Sequence, residues 1–222
     1  MPAERISYLG DIARYPYGGR SDETIRSFGL QDATYLVGRD VKMLVVACNT
    51  VSSVALEHTR KRFPDIPVIG VVDPGARAAT QRTAQRKIGV IGTHATIRAG
   101  AYTDAIHRID KRVKVYGKAC PLFVPLVEEG MLEHQITRLA VQHYLYELVD
   151  SGIDCLILGC THYPLIAAAI QETVGTRIEV DDAEARMEQT DVAAGRECML
   201  VDAVSIGAAA AHTDEQATSE LL

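Results

Sequence analysis

Long hydrophobic runs are missing from this sequence, and none approaches the length of a membrane-spanning helix, about 18 residues. The opening residues, Met1-Pro2-Ala3-Glu4-Arg5, lack the charged-then-apolar order of a signal peptide. An excess of positive charge is missing too. Lys and Arg number 23 against 29 Asp and Glu, a formal net charge of -6 that offers nucleic acid or an anionic membrane no attractive field overall. Cysteine is sparse: Cys48, Cys120, Cys155, Cys160 and Cys198 are too few and too dispersed for a disulfide framework. There is no paired Cys-x-x-Cys and no His-Glu-x-x-His, so the closeness of Cys160 and His162 does not amount to a zinc site. Gly-x-Gly-x-x-Gly and Gly-x-x-x-x-Gly-Lys-Ser/Thr are also missing, and with them the usual phosphate cradles of nicotinamide and nucleotide cofactors. These absences predict a cytosolic protein that works on a small molecule without metal, cofactor, nucleic acid or membrane.

What is present is ample core material. The 222 residues are 47% hydrophobic, enough for one large or two small domains. Short apolar runs end in glycine or small residues: Ile6 to Leu9, Met43 to Ala47, Val68 to Val72, Lys87 to Gly92, Val113 to Gly117 and Cys155 to Gly159. They are continuous, not alternating, as expected of strands buried on both faces. Helical patterns lie between them. Ser21 is placed to cap a helix over 22–37, Ile97, Ala101, Ala105 and Ile109 share one helical face, and Ile136, Leu139, Ala140 and Leu148 mark another helix. Strand and helix in alternation predict the open α/β class with parallel sheets. A polar stretch, Gln81 to Gln85, is a candidate boundary, and the segment after about residue 185 carries only a weak helical period.

One motif occurs twice. Val45-Val46-Ala47-Cys48-Asn49-Thr50 is echoed by Ile157-Leu158-Gly159-Cys160-Thr161-His162, each a buried strand that delivers a cysteine and then small polar residues. In open α/β sheets ligands bind beyond the carboxyl ends of strands, where both cysteines stand. Cys120, Cys155 and Cys198 have no such context and read as packing residues. A Cys-His hydrolase would use Cys48 or Cys160 as nucleophile with His162 as base, but leaves one cysteine idle. Two opposed thiols suit another reaction: one removes an α proton from one face of a carbon centre and the other returns a proton to the opposite face.

These motifs resemble the cofactor-independent aspartate/glutamate racemase family, and glutamate racemases in particular. The matching stretches are Gly10-Asp11-x-Ala13-Arg14-x-Pro16-Tyr17-Gly18, Val46 to Thr50, Gly70-Val71-Val72-x-Pro74-Gly75, Ile91-Gly92-Thr93-x-x-Thr96-Ile97, Ala119 to Gly130 and Leu158 to Leu165. The resemblance implies two similar parallel-sheet α/β domains with the active site in the cleft between them. The expected division is 1–82, completed by 183–222, and 83–182. It further implies that Cys48 serves the D-glutamate side and Cys160 the L-glutamate side, with His162 supporting Cys160. Pro16, Tyr17, Gly18, Asn49, Thr50, Thr93, Thr96, Glu128 and Thr161 are the implied substrate-binding residues. For His162 and Tyr17 a purely structural role stands beside the functional one, and the hydroxyls of Thr50 and Thr161 also suit helix caps. The implied partner is glutamate, with no nucleic acid or membrane and with a homodimer as one admissible assembly; the implied role is supply of D-glutamate for peptidoglycan.

Family members open with a strand, an Asp-Ser-Gly-x-Gly-Gly loop and a helix, whereas this chain opens where that helix would end. The aspartate that assists the cysteine equivalent to Cys48 has no counterpart here, so the chain as given is expected to be a poor racemase. Racemisation of aspartate or another amino acid, and a noncatalytic remnant that binds an amino acid or a protein, are the alternative readings.

Overall fold

The computed structural model describes residues 6–183 and, for backbone only, 198–202. In chain order the elements begin with β1 (Ile6–Gly10), α1 (Asp22–Val37), β2 (Met43–Val46), α2 (Asn49–Val54), α3 (Leu56–Arg62), β3 (Val68–Gly70) and α4 (Val72–Arg82). They continue with β4 (Lys87–Gly92), α5 (His94–Ala99), α6 (Ala101–Ile109), β5 (Lys114–Ala119), α7 (Phe123–Glu128) and α8 (Gln135–Asp150). β6 (Cys155–Gly159), a 3-10 turn (Tyr163–Ile166), α9 (Ala167–Val174), β7 (Glu179–Asp182) and β8 (Cys198–Asp202) are the remaining elements among the described residues.

These strands form two four-stranded sheets, ordered β1-β8-β2-β3 and β5-β4-β6-β7, and every pairing is parallel. The architecture is therefore open α/β. The central strands β2 and β6 are buried along their whole length, and β4 is buried after its first residue, which is why their sequences show no alternation. The first sheet packs under Ile25, Ala33 and Leu36 of α1 and Val51 and Val54 of α2. The second is covered on one face by Ala140, Val141, Leu145 and Leu148 of α8 and Ile170 of α9, and on the other by α4 and α6.

Local chemistry explains the helix ends. Ser21 caps α1 through a hydrogen bond from the Thr24 amide at 3.2 Å, as the sequence predicts. The helix expected to run from Ile97 through Ile109 is broken. Gly100 adopts φ 68°, ending α5 and starting α6, so the buried residues of α6 are Tyr102, Ala105 and Ile106 while Ile109 is exposed. In α8 the buried stripe is Thr137, Ala140, Val141, Leu145 and Leu148; Ile136 and Leu139 point to solvent. α4 lies before the boundary expected near Gln81, yet its face of Val72, Ala76 and Ala79 packs on Ile88, Val90 and Ile157 of the second sheet. Small side chains let it approach that sheet closely.

The weak helical period after residue 185 includes a strand instead: β8 lies between β1 and β2. The side chain of Cys198 and the rest of that segment lie outside the described residues. Among the described residues, no helix is long and apolar enough to cross a membrane.

Candidate active site

Each cysteine motif emerges at the carboxyl edge of a central strand. β2 ends at Val46, and Cys48 occupies the N-cap position of α2; β6 ends at Gly159 and passes directly into Cys160. A cavity of about 240 Å³ receives both side chains. That is smaller than the roughly 300–1,000 Å³ typical of drug-sized ligand sites, and suits a compact solute.

The two halves contribute in parallel. Cys48, Asn49 and Thr50 line the cavity from the first sheet, and Thr93, His94, Cys160, Thr161 and His162 from the second. The loop Tyr15-Pro16-Tyr17-Gly18-Gly19 closes one side, and Pro121, Val124 and Pro125 form an apolar wall. Tyr15-Pro16 is a cis peptide bond.

Behind that loop sits a buried polar anchor. The Tyr17 hydroxyl donates to Asp11 and, at 3.3 Å, to Asp32 of α1. Arg14 reaches Asp11 at 2.6 Å, Asp32 at 2.5 Å and Gln31 at 2.8 Å, with its guanidinium over the Phe28 ring. Burial pushes the Tyr17 phenol far above its ordinary value, and the hydrogen bond to Asp11 adds to that, so it stays a donor at any working pH. Burial also raises the carboxyl of Asp32, while Arg14 opposes the rise. The effect is mechanical. Tyr17 and Gly18 are tied to α1 on one side, and the Gly18 carbonyl accepts from the Ala95 amide of α5 at 3.0 Å on the other.

Three hydroxyls form a second buried cluster. Thr50 lies 3.0 Å from Thr93 and 3.3 Å from Thr96, and Thr93 and Thr96 are 3.0 Å apart. Thr93 also caps α5 by accepting from the Thr96 amide at 3.2 Å. On the Cys48 side, the Tyr102 hydroxyl donates to the Asn49 side-chain oxygen at 2.5 Å and fixes which way that amide points.

The Cys160 side has its own relay. His162 Nδ1 lies 3.9 Å from Cys160 Sγ and 3.4 Å from the Thr161 hydroxyl. Its Nε2 meets Glu128 Oε1. With the proton on Nε2 donated to Glu128, Nδ1 presents a lone pair to the thiol, the arrangement needed to receive its proton. Glu128 stands at the carboxyl end of α7.

Of the residues singled out in the sequence, Pro16, Tyr17, Gly18, Cys48, Asn49, Thr50, Thr93, Cys160, Thr161 and His162 all line the cavity. Thr96 and Glu128 do not; each stands one contact behind it, on Thr93 and on His162. The spacing gives no sign of Tyr15, His94 or Val124, nor of Asp32 and Tyr102, which arrive from helices distant in sequence; Pro121 and Pro125 belong to the Ala119–Gly130 stretch but carry no site role there. Asp11 and Arg14 share the Gly10–Gly18 motif but acquire a role only once Tyr17 folds over them. Cys120 and Cys155 are buried away from the cavity, and burial pushes both thiols up to about 12. Among the described residues, no group of three or more His, Cys, Asp or Glu side chains could hold a metal ion.

A family model described as Asp/Glu/Hydantoin racemase matches residues 6–190. A glutamate racemase from Geobacter metallireducens is 50% identical over 185 residues, covering 83% of this chain and 68% of that protein. The crystal structure of glutamate racemase isoform RacE1 from Bacillus anthracis is similar with a TM-score of 0.80 at 40% identity, over 83% of this chain and 69% of that one. A glutamate racemase from Francisella tularensis, solved in complex with D-glutamate, gives a TM-score of 0.77 at 34% identity, over 89% of this chain and 78% of that one.

Proposed function

Because this chain belongs to the Asp/Glu/hydantoin racemase family, we propose that it interconverts L- and D-glutamate by direct proton transfer between two cysteines and the α carbon. The observation that carries this reading is that Cys48 and Cys160, borne by separate sheets, line one cavity. Glutamate as substrate is supported by the racemases to which the chain is similar, one of them solved with D-glutamate.

In the L to D direction, the Cys160 thiolate takes the α proton of L-glutamate. The Cα–H bond breaks, an S–H bond forms, and the electron pair stays on Cα, spread into the carboxylate. The Cys48 thiol then gives its proton to the opposite face, which forms the new Cα–H bond and leaves a thiolate at Cys48. The reverse direction exchanges the roles. His162 moves a proton to or from Cys160, and Glu128 holds the imidazole in the tautomer that allows it. Asn49, Thr50, Tyr17, Gly18 and Thr161 bind the α-amino and carboxylate groups, with Thr93 extending the polar wall. Orientation is the main contribution, because both thiols must address one carbon from opposite sides. The D-glutamate produced supplies bacterial peptidoglycan.

Incubation in deuterium oxide with L-glutamate, D-glutamate and, separately, each enantiomer of aspartate tests the proposal. Expected is incorporation of deuterium at Cα of both glutamate enantiomers, lost in Cys48→Ser and Cys160→Ser with the fold retained. No exchange above buffer with glutamate overturns the reading, and faster exchange with aspartate would reassign the substrate.

A further inference from the structure

The side of the cavity formed by the first half carries a residue that acts on the second. Tyr15 lies in the loop leading to Tyr17, packs its half-buried ring against the core of the first sheet, and lines the cavity. Its hydroxyl donates to Glu128 Oε2 at 3.0 Å, across 113 positions of sequence. The other oxygen of the same carboxylate, Oε1, holds His162 Nε2. One carboxylate therefore carries two donors, one from each half. The order is Tyr15 hydroxyl, Glu128, His162 imidazole, Cys160 thiol.

We propose that Tyr15 is a positioning residue for the Cys160 half-reaction: its hydroxyl fixes the rotation of the Glu128 carboxylate, and so the aim of His162 Nδ1 at Cys160 Sγ. This rests on the racemase reading above. A carboxylate at the end of α7 with a single donor is free to rotate about its last bond; a second donor on the far oxygen removes that freedom. The hydrogen bond to Glu128 is also the leading reason that the Tyr15 phenol is raised above its ordinary value, so the hydroxyl keeps the proton it donates. The loop that brings Tyr17 and Gly18 to the cavity thereby also sets the proton relay of the opposite wall. Tyr15 does not reach Cys48 through any of these contacts, so its influence is one-sided.

That asymmetry gives a test which a merely structural tie would not satisfy. The enantiomers have equal free energy in water, so any variant must change kcat/KM equally in both directions. Isotope effects are not bound in this way. Tyr15→Phe keeps the ring and its packing and removes only the hydroxyl. Expected is a fall in kcat/KM of about tenfold, the size of one hydrogen bond to a charged group. The deuterium isotope effect with α-deuterated L-glutamate should rise, because abstraction by Cys160 becomes more rate-limiting. With α-deuterated D-glutamate it should fall, because delivery from Cys160 then limits more than abstraction by Cys48. In a Glu128→Gln background, Tyr15→Phe should add little.

A second measurement does not need turnover. Alkylation of the unliganded protein by iodoacetamide, followed residue by residue with mass spectrometry, should slow at Cys160 in Tyr15→Phe and stay unchanged at Cys48. Unchanged isotope effects for both enantiomers, or equal alkylation rates at Cys160 in wild type and variant, overturn the assignment. Absence of glutamate exchange in the wild type, with the Cys160-specific alkylation change present, would defeat the racemase reading while leaving the Tyr15 to Cys160 coupling standing.

Discussion

The hydroxyls of Thr50 and Thr93, one at the mouth of the first sheet and one at the mouth of the second, lie 3.0 Å apart in a buried contact. With Thr96 they join the halves beside the cavity by side-chain hydrogen bonds. Thr93 also closes the first turn of α5, so one side chain serves as cap and as cross-link. Thr93→Val keeps the shape and removes both functions. It should destabilise the protein by about 1–2 kcal/mol in urea unfolding, the scale of a lost cap with an orphaned partner. A double-mutant cycle with Thr50→Val should return a coupling of about 1 kcal/mol; additive effects would show that the contact is incidental.

Gly18 is the tightest point of the loop Tyr15–Gly19 that closes one side of the cavity. A Cβ there would lie 2.5 Å from the Cβ of Thr93, so the loop or α5 must move to admit it. Gly18→Ala should cost about 1–3 kcal/mol of stability. It should also cost about 100-fold in turnover, because the displaced loop misplaces both Tyr17 and Tyr15. Gly19→Ala is the control, since a Cβ on Gly19 meets nothing within 4 Å. Equal behaviour of the two variants, measured by exchange rate and thermal midpoint, would contradict this account.

Arg14 holds two acidic side chains that are otherwise buried close to one phenol. Arg14→Met retains much of the side-chain volume over Phe28 and leaves Asp11 and Asp32 without their cation. Breaking a largely buried ion pair from one side costs about 3–5 kcal/mol. Chemical denaturation checks the size, and a loss under about 1 kcal/mol would mean that solvent already screens the pair.

Cys120 and Cys155 should be silent in catalysis and audible in alkaline stability. Burial raises both thiols to about 12, above the roughly 8.5 of a cysteine in an unfolded chain. The folded protein keeps protons that the unfolded chain gives up. Their contribution is intact below about pH 8.5 and declines as pH rises toward 12, by up to about 1.4 kcal/mol per pH unit for each thiol. Cys155→Ala should therefore flatten the fall in unfolding free energy between about pH 9 and 11. An unaltered slope would mean that Cys155 is not protected. Turnover at neutral pH should change little, unlike that of Cys48→Ser or Cys160→Ser.

How far the sequence reaches depends on whether a feature is local. The strands β2, β4 and β6 are legible because burial on both faces demands an uninterrupted apolar run, and Ser21 reveals the start of α1 because capping acts over three residues. The Gly100 break is not legible from periodicity, since Ile97 and Ala105 keep the same spacing whether or not the helix is continuous. Ile136 and Leu139 mark α8 but not its buried face, because α8 has apolar residues on two sides and only packing against β5 and α9 decides which is buried. The cysteines announce themselves by standing at strand ends. The partners that orient the neighbouring side chains do not, because Glu128 meets His162, Tyr15 meets Glu128 and Tyr17 meets Asp32 only after separate elements have folded.

The position of β8 has a consequence for biosynthesis. All four strands of the sheet that carries Cys160 lie between residues 87 and 182, so that unit leaves the ribosome as one uninterrupted stretch. The sheet that carries Cys48 is stitched from distant parts of the chain, with residues 198–202 inserted between β1 and β2. Its longest-range pairing joins residues 6–10 to residues 198–202 and can form only after translation has passed residue 202. The wall that bears Cys160 can thus take shape during synthesis while the wall that bears Cys48 waits for residues 198–202, so a ribosome stalled between these points would hold Cys160 and His162 on a formed sheet before the Tyr15 hydroxyl is fixed on Glu128, opposite a Cys48 whose own sheet is unfinished.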